Sequence, residues 1–273
     1  MTHSGADIAQ LLSAHGLRPS RALGQNFVAD PNTVRRIARL AGLTPDDQVL
    51  EIGAGLGSLT LALVETGARV VALETDRHLV PVLRSVVEPV GVDVVEGDAL
   101  KLDLAALLAD RGEPPWSLVA NLPYNVATPL VLRTLTDVPS VTRQLVMVQR
   151  EVGERMAAGA GEPAYGAVSV RIAYFARAEV VGRVPASVFV PRPRVESVLV
   201  RIVRRPEPAV DPALVSYERL DAVLRAGFGQ RRKMLRRALA GVVEPDAFAR
   251  AGVRPEARAE ELDVAAWGRL AAC

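Results

Sequence analysis

The stretch Val49-Leu50-Glu51-Ile52-Gly53-Ala54-Gly55-Leu56-Gly57 decides the fold. A short, mostly apolar run leads into alternating glycines, and apolar residues at helical spacing follow from Leu59. This order predicts a buried strand, a tight turn and a helix, because glycine takes positive φ without steric cost and lets the backbone approach a ligand closely. We therefore expect Gly53 and Gly55 to form a turn that passes beneath a bound nucleoside.

The alternation of strand and helix continues to residue 121. Apolar runs at 69–74, 92–95 and 118–121 predict strands, and helical periodicity lies between them at 79–87 and 102–108. Repeated strand–helix units predict a parallel sheet covered by helices on both faces. Two later β-rich runs, 179–184 and 198–203, have no long helix between them. They predict an antiparallel hairpin at one edge of an otherwise parallel α/β sheet.

A proline-rich segment predicts the domain boundary. Arg204-Arg205-Pro206-Glu207-Pro208 is typical of a linker, because proline interrupts both helices and central strands. Only helical patterns follow it, at 217–227, 231–239, 246–251 and 260–270. The sequence thus predicts a catalytic domain over residues 1–205 and a small all-helical domain over residues 206–273.

Composition excludes several classes of protein. With 273 residues, 49% of them hydrophobic and 23% charged, the chain is not a disordered one. The single cysteine, Cys273, excludes an internal disulfide, and three scattered histidines predict no metal site. No apolar run reaches the ~18 residues of a membrane helix, and the N-terminus lacks the pattern of a signal peptide. We expect a cytoplasmic protein that has no contact with membranes and is a monomer.

Charge is distributed unevenly along the chain. The formal net charge is only +2, but the segment from Arg192 to Arg237 holds 12 cations and 5 anions. Nearly all cations are arginines, which bind phosphate with a forked pair of donors. A genome biased toward arginine explains the overall excess, whereas the basic terminal third indicates a polyanionic partner.

Two acidic residues extend the predicted nucleoside site. Glu74 ends the strand after the glycine turn, where a carboxylate can accept both ribose hydroxyls, and Asp98 follows the third strand, where it can accept the adenine amine. S-adenosylmethionine is favoured over a dinucleotide because no third glycine stands where a pyrophosphate would meet the helix. Composition does not decide between these two ligands.

Asn121-Leu122-Pro123-Tyr124-Asn125, after the fourth strand, carries a family resemblance. It resembles the reactive loop of methyltransferases that act on exocyclic amines of bases, and in this form the KsgA family of ribosomal RNA adenine dimethyltransferases. The other matching segments are 23–28, 51–55, 189–197 and 228–235. Val28 stands where leucine is usual in the family, and Ala173 stands where a glutamine is expected. The resemblance covers residue 17 to the last helix and implies a Rossmann-like class I methyltransferase fold.

The resemblance assigns chemistry to the loop. The Asn121 side chain and the Leu122 carbonyl oxygen accept N–H bonds from the target amine and hold it in line with the sulfonium methyl group, so the contribution is positioning and electrostatics. Pro123 fixes the turn, Tyr124 stacks on the extruded base and Phe189 covers its other face. A flap over about residues 17–30 covers the methionine part of the cofactor. The cofactor-binding residues implied are Gln25, Asn26, Val28, Gly53, Gly55, Glu74, Asp98 and Asn121.

The terminal basic segment is predicted to bind RNA. Its apolar residues repeat at helical spacing, which predicts one helix with a packed face and a cationic face. The residues expected to meet phosphates are Arg18, Arg21, Arg231, Arg232, Lys233 and Arg236.

Four functions remain open at this point. The resemblance implies S-adenosylmethionine-dependent N6,N6-dimethylation of two adjacent adenosines in the 3′-terminal hairpin loop of small-subunit (16S) rRNA, on naked RNA or on a pre-30S ribosomal particle. A large-subunit (23S) rRNA adenine methyltransferase that gives macrolide resistance is the first alternative, and a non-catalytic assembly factor on the same fold is the second. An NAD-dependent dehydrogenase is weaker, because Asn-Leu-Pro-Tyr has no role in hydride transfer.

Overall fold

A computed structural model describes residues 2–20 and 22–273. Its strands are β1 (Phe27–Val28), β2 (Gln48–Ile52), β3 (Arg69–Glu74), β4 (Asp93–Glu96), β5 (Trp116–Asn121), β6 (Val141–Gln149), β7 (Ala176–Val184), β8 (Phe189–Val190) and β9 (Ser197–Arg204). Its α-helices are α1 (Gly5–Ala14), α2 (Pro31–Ala41), α3 (Ser58–Val64), α4 (Val80–Val87), α5 (Leu104–Ala109), α6 (Ala127–Asp137), α7 (Arg150–Ala157), α8 (Ala167–Phe175), α9 (Tyr217–Gly229), α10 (Leu235–Ala238), α11 (Ala247–Ala251) and α12 (Val264–Ala272). None of the helices in these residues has both the length and the apolar character to span a membrane.

Seven strands form one sheet in the order β4-β3-β2-β5-β6-β9-β7. The pairs β3–β4, β2–β3, β2–β5 and β5–β6 are parallel, whereas β9 runs antiparallel to β6. The α/β prediction is confirmed, and the antiparallel strand β9 lies between β6 and the edge strand β7. Because these five parallel strands end on the same side, the residues that follow them share one rim of the sheet.

Capping residues close in sequence determine where helix α2 begins and ends. The Asp30 carboxylate accepts the N–H groups of Asn32 and Thr33 at the start of α2, and Gly42 ends the helix with φ 62°. These are the start and stop signals that the sequence displays.

Two α-helices, α1 and α6, were not predicted. Helix α1 begins with a capping box between Ser4 and Asp7, and its buried residues Ile8 and Leu12 belong to a small core with Phe27 and Leu56. The helix is short, so its two buried residues give a weak periodic signal in the sequence.

The chain divides into two compact units, and the division differs from the predicted one. The first unit comprises residues 1–153 and 179–203, and the second comprises residues 154–178 and 204–273. Segment 154–178 belongs with the helical unit because the Tyr165 hydroxyl donates to the Leu262 carbonyl (2.7 Å) and Arg171 pairs with Asp221 (2.6 Å). The linker marks only one of the places where the chain passes between the units, since local composition does not report such long-range contacts.

The predicted basic helix over 231–239 is wrong in extent. Helix α9 ends at Gly229, and within positions 231–239 only Leu235–Ala238 is helical. The break arises because the N–H groups of Leu235 and Arg236 donate to the carbonyls of Ala257 (2.8 Å) and Pro255 (3.0 Å). A continuous helix would direct these donors to its own preceding turn. Arg231, Arg232 and Lys233 therefore lie in an exposed turn.

The core of the helical unit surrounds the fully buried indole of Trp267. Gly227 in α9 lies against it, and a Cβ atom there would come within 2.5 Å of the ring. We therefore expect Gly227→Ala to destabilise the protein by about 1–3 kcal/mol through overpacking.

Gly229, in the same helix, supplies the matched control. A Cβ there would meet nothing within 4 Å. Gly229→Ala should be neutral or stabilise by up to ~1 kcal/mol. Denaturant unfolding of the two variants measures the difference, and equal stabilities would contradict the packing argument.

Candidate functional site

A cavity of about 230 Å³ lies in the first unit, at the rim formed by the ends of the parallel strands. The cavity brings together residues that are far apart in sequence, because each lies at or just after the end of a different strand. Glu74 ends β3 and Asn121 ends β5, while Gly53 follows β2 and Asp98 follows β4. This is the edge at which open α/β sheets bind their ligands.

The glycine turn is held by Glu74. One oxygen of its carboxylate accepts the N–H of Gly55 (2.7 Å), and the other accepts those of Thr75 and Asp76 (2.9 Å each). The side chain is 5% exposed, and this burial raises the pKa of Glu74 although the three donors act against it. Three of roughly four acceptor positions on a carboxylate are thus in use.

Positive φ favours glycine at both positions of the turn, and at Gly55 a close neighbour adds a steric reason. Gly53 has φ +76° and lies against the Pro123 ring, with a Cβ position 3.6 Å from Cδ. Gly55 has φ +60°, and a Cβ there would come within 3.0 Å of the Phe27 ring. A side chain at Gly55 would therefore combine a strained backbone with a shift of the Phe27 ring by a few tenths of an ångström.

The predicted flap is tied to the cavity by side-chain amides. The Gln25 side chain accepts the N–H of Ser20 and donates to a carboxylate oxygen of Asp76 (2.7 Å each). Asn26 donates to the Gly24 carbonyl (3.0 Å) and accepts, with its own carbonyl, the side-chain N–H of Asn121 (3.1 Å). All of the flap residues predicted to bind the cofactor, Gln25, Asn26 and Val28, line the cavity.

Strand β1 joins this flap to a distant segment. It forms a two-stranded antiparallel ladder with β8, in which Phe27 faces Val190 and Val28 faces Phe189. The ladder buries Phe189, which is 3% exposed and packs in the main core of the first unit. Phe189 is not among the residues that line the cavity. Its role over a bound base remains a prediction.

The loop after β5 holds the remaining predicted residues. The Leu122 N–H donates to the Met147 carbonyl (3.1 Å), which fixes the direction of the peptide group. The side-chain nitrogen of Asn121 donates to the Asn26 carbonyl, which leaves the side-chain oxygen of Asn121 as an acceptor. Tyr124 lines the cavity, and its hydroxyl lies 2.8 Å from the Ser197 hydroxyl.

Asp98 lies at the rim with partly used acceptors. One carboxylate oxygen accepts the Leu100 N–H (2.9 Å), and the other lies 3.4 Å from the Lys101 ammonium group. Asp98 and Glu74 therefore both line the cavity, and both accept backbone N–H bonds from the loops that follow them. Within residues 2–20 and 22–273, no cluster of histidine, cysteine and acidic residues is arranged to hold a metal ion.

The predicted RNA contacts fall into three groups. Arg231 and Arg236 form ion pairs with Glu260 (3.6 Å) and Glu256 (3.2 Å). Arg232, Lys233 and the neighbouring Arg237 are exposed and form no ion pair with the described part of the chain. Arg18 is exposed, and Arg21 lies outside the described residues.

Sequence reasoning gave no role in the site to three residues that line the cavity or bond to its lining: Glu51, Asp76 and Ser197. Glu51 is 2% exposed, lines the cavity and has one carboxylate oxygen without a hydrogen-bond partner in the described chain. Burial, with the nearby Glu74 carboxylate, raises the pKa of Glu51 to about 8. An acid within the apolar run 49–52 is the one sequence signal for this group.

The chain is similar to proteins that act on ribosomal RNA. A family model described as ribosomal RNA adenine dimethylase matches residues 17–272. A protein of Acidothermus cellulolyticus named ribosomal RNA small subunit methyltransferase A is 47% identical, over 97% of this chain and 92% of its own length. The protein of the same name from Kineococcus radiotolerans is 46% identical, over 98% and 90%.

Solved structures show the same fold. The 23S rRNA methyltransferase ErmE is 26% identical, with a TM-score of 0.70 over 90% of this chain and 98% of its own. A dimethyladenosine transferase of Plasmodium falciparum is 24% identical, with a TM-score of 0.73 over 88% and 94%. The second likeness bears on the fold alone.

The buried Glu51 predicts a pH-dependent stability. Its folded pKa of about 8 exceeds the ordinary value of 4.5, so between these pH values the folded protein keeps a proton that the unfolded chain has released. Raising the pH through this window destabilises the fold by up to ~1.4 kcal/mol per unit.

The variant Glu51→Gln removes this titration. We expect the stability of the parent to fall, relative to that of the variant, from pH 5 to pH 8 in unfolding experiments without cofactor. Parallel stability profiles over this range would show that Glu51 is ionised in the folded protein.

Proposed function

The chain belongs to the ribosomal RNA adenine dimethylase family and is an S-adenosylmethionine-dependent methyltransferase, and on this premise we propose that it dimethylates N6 of two adjacent adenosines in the 3′-terminal hairpin loop of small-subunit rRNA. The observation that carries the proposal is the reactive loop 121–125 at the cavity rim, beside the glycine turn and its acids. Relatives at 46–47% identity bear the small-subunit name, which favours this substrate over the large-subunit one.

The roles proposed for the cavity residues follow from its polar groups. Gly53 and Gly55 pass beneath the nucleoside of the cofactor. The fourth acceptor position of Glu74 meets the ribose, and Asp98 accepts the adenine amine. Gln25, Asn26 and Val28 cover the methionine part. When bound, S-adenosylmethionine supplies the electrophilic methyl group.

The target amine is activated by position. The exocyclic nitrogen of adenine is a poor nucleophile because its lone pair is delocalised into the ring. Two acceptors, the Asn121 side-chain oxygen and the Leu122 carbonyl, favour a pyramidal nitrogen and align it with the methyl group. Tyr124 stacks on the extruded base, while Pro123 fixes the loop against Gly53.

The second alternative, a non-catalytic assembly factor, is disfavoured by the intact reactive loop. The protein is proposed to act in the cytoplasm, as a monomer, on a pre-30S particle or on the RNA itself.

Methyl transfer from tritiated S-adenosylmethionine tests the proposal directly. We expect label to enter undermethylated small subunits and to map to N6 of two adjacent adenosines, with no label in large subunits. Label in large subunits alone would establish the macrolide-resistance alternative, and no label in either would establish the assembly-factor alternative.

Asn121 should matter for the chemical step. An acceptor that binds the amine more tightly as it pyramidalises acts in the transition state, so Asn121→Ala should lower the single-turnover rate by ~100-fold or more. The measurement uses undermethylated small subunits at saturating cofactor, since loss of the bond to Asn26 also loosens the flap.

The control is Asn32→Ala, which removes an exposed amide on α2. It should methylate at the parent rate. If Asn121→Ala also does so, the proposed mechanism is incorrect.

RNA affinity should depend on the cations without carboxylate partners. Replacing Arg232, Lys233 and Arg237 by alanine should reduce the salt slope of small-subunit binding by up to ~2–3 units if all three meet phosphates. The control is the double variant Arg250→Ala, Arg254→Ala, because both of these arginines are ion-paired. Equal slopes in the two variants would show that the turn is only a solvated surface.

A further inference from the structure

Ser197 has no part in the function proposed above, yet its hydroxyl lies at the reactive loop. It is the first residue of β9, is 0% exposed, and closes the segment 189–197 that resembles the family. Its Oγ lies 2.8 Å from the Oη of Tyr124, which is 73 positions away in sequence. A bond of this length between two hydroxyls is well formed.

The bond gives the Tyr124 side chain a second point of attachment. The first attachment is the backbone of its loop, where the N–H of Leu122 donates to the Met147 carbonyl of β6. The second is Ser197, which faces Gln149 of the same strand across the β6–β9 ladder. Both ends of the tyrosine are therefore fixed relative to two positions of one strand in the middle of the sheet.

A tyrosine attached at both ends has a defined ring plane. A side chain held only at its Cα changes rotamer freely, and ordering it when a ligand binds has an entropic cost. The hydrogen bond to Ser197 already orders the Tyr124 ring in the free protein, so ligand binding does not have to order it. Burial raises the pKa of the Tyr124 phenol, so at neutral pH the hydroxyl is protonated and remains a hydrogen-bonding group.

From this geometry we infer that Ser197 is a positioning residue, which fixes the ring of Tyr124 in the plane where the target adenine stacks. The inference rests on the proposed function, because it takes Tyr124 as the stacking surface. It also gives a role to the serine of segment 189–197, whose aromatic residue, Phe189, is packed in the core.

A double-mutant cycle tests the inference. The variants are Ser197→Ala, Tyr124→Phe and the two combined, since each removes one hydroxyl of the bond and adds no atom. We measure the concentration of undermethylated small subunits at which the single-turnover methylation rate is half-maximal, with saturating S-adenosylmethionine. Each single variant should raise this concentration by about 3- to 10-fold, as the loss of one hydrogen bond implies. The double variant should be no worse than either single one.

Two controls separate positioning from stability. Ser117→Ala removes another buried serine, in β5 and outside the cavity lining, and should leave the half-maximal concentration at the parent value. Calorimetric affinity for S-adenosylmethionine should stay within about two-fold in every variant. A spectroscopic readout comes from tyrosine labelled at Cζ: the pKa of Tyr124 should rise in Ser197→Ala, because the bond to Ser197 lowers it.

The outcomes are distinct. If Ser197→Ala only lowers the melting temperature and keeps the half-maximal concentration, Ser197 is structural and the inference is overturned. Independent, multiplying effects of the two substitutions overturn it as well. If the parent itself fails to methylate small subunits, the proposed function fails and the inference falls with it.

Discussion

The hydrogen bond from the Gly55 N–H to the buried Glu74 carboxylate is the interaction on which the site depends. It joins the turn after β2 to the end of β3, and two further N–H groups after β3 donate to the same carboxylate. The turn brings the backbone close to the Phe27 ring, and Phe27 belongs to the strand that holds the flap. Glu74 thus fixes the glycine turn that lines the cavity and, through the contact of that turn with Phe27, the position of the flap.

The parts of this arrangement that could be predicted are those with local causes. Strand ends, glycine turns and the Asp30 cap follow from neighbouring residues, so the sheet and the acids at its rim were predicted from the sequence. The burial of Phe189 was not predicted, because a proline-flanked aromatic resembles an exposed loop residue and its burial depends on pairing with Val28, 161 positions away. The break in the helix before Leu235 also depends on contacts that are distant in sequence. The N–H groups of residues 235 and 236 donate to carbonyls at positions 257 and 255 instead of to the preceding helical turn.

Charge shows the same limit of sequence reasoning. The sequence shows how many cations the terminal third contains, but not which of them form ion pairs. Arg231 and Arg236, for example, pair with carboxylates more than 15 positions away in sequence. Surface ion pairs contribute little to stability, yet they occupy the donors that would bind phosphate. The proposed electrostatic footprint on RNA is therefore smaller than the composition implies and is concentrated at the turn that holds Arg232 and Lys233.

The ladder between β1 and β8 has a consequence for synthesis of the protein. The glycine turn, both rim acids and the reactive loop lie within the first 125 residues, which leave the ribosome first. The strand that pairs with the flap follows only at positions 189 and 190, and β9, which lies between β6 and the edge strand, follows later still. A nascent chain that already contains every cavity residue can form the Gln25–Asp76 and Asn26–Asn121 bonds of the flap but still lacks the β1–β8 ladder. The pairing that completes the flap therefore forms only after residue 190 of 273 has been translated.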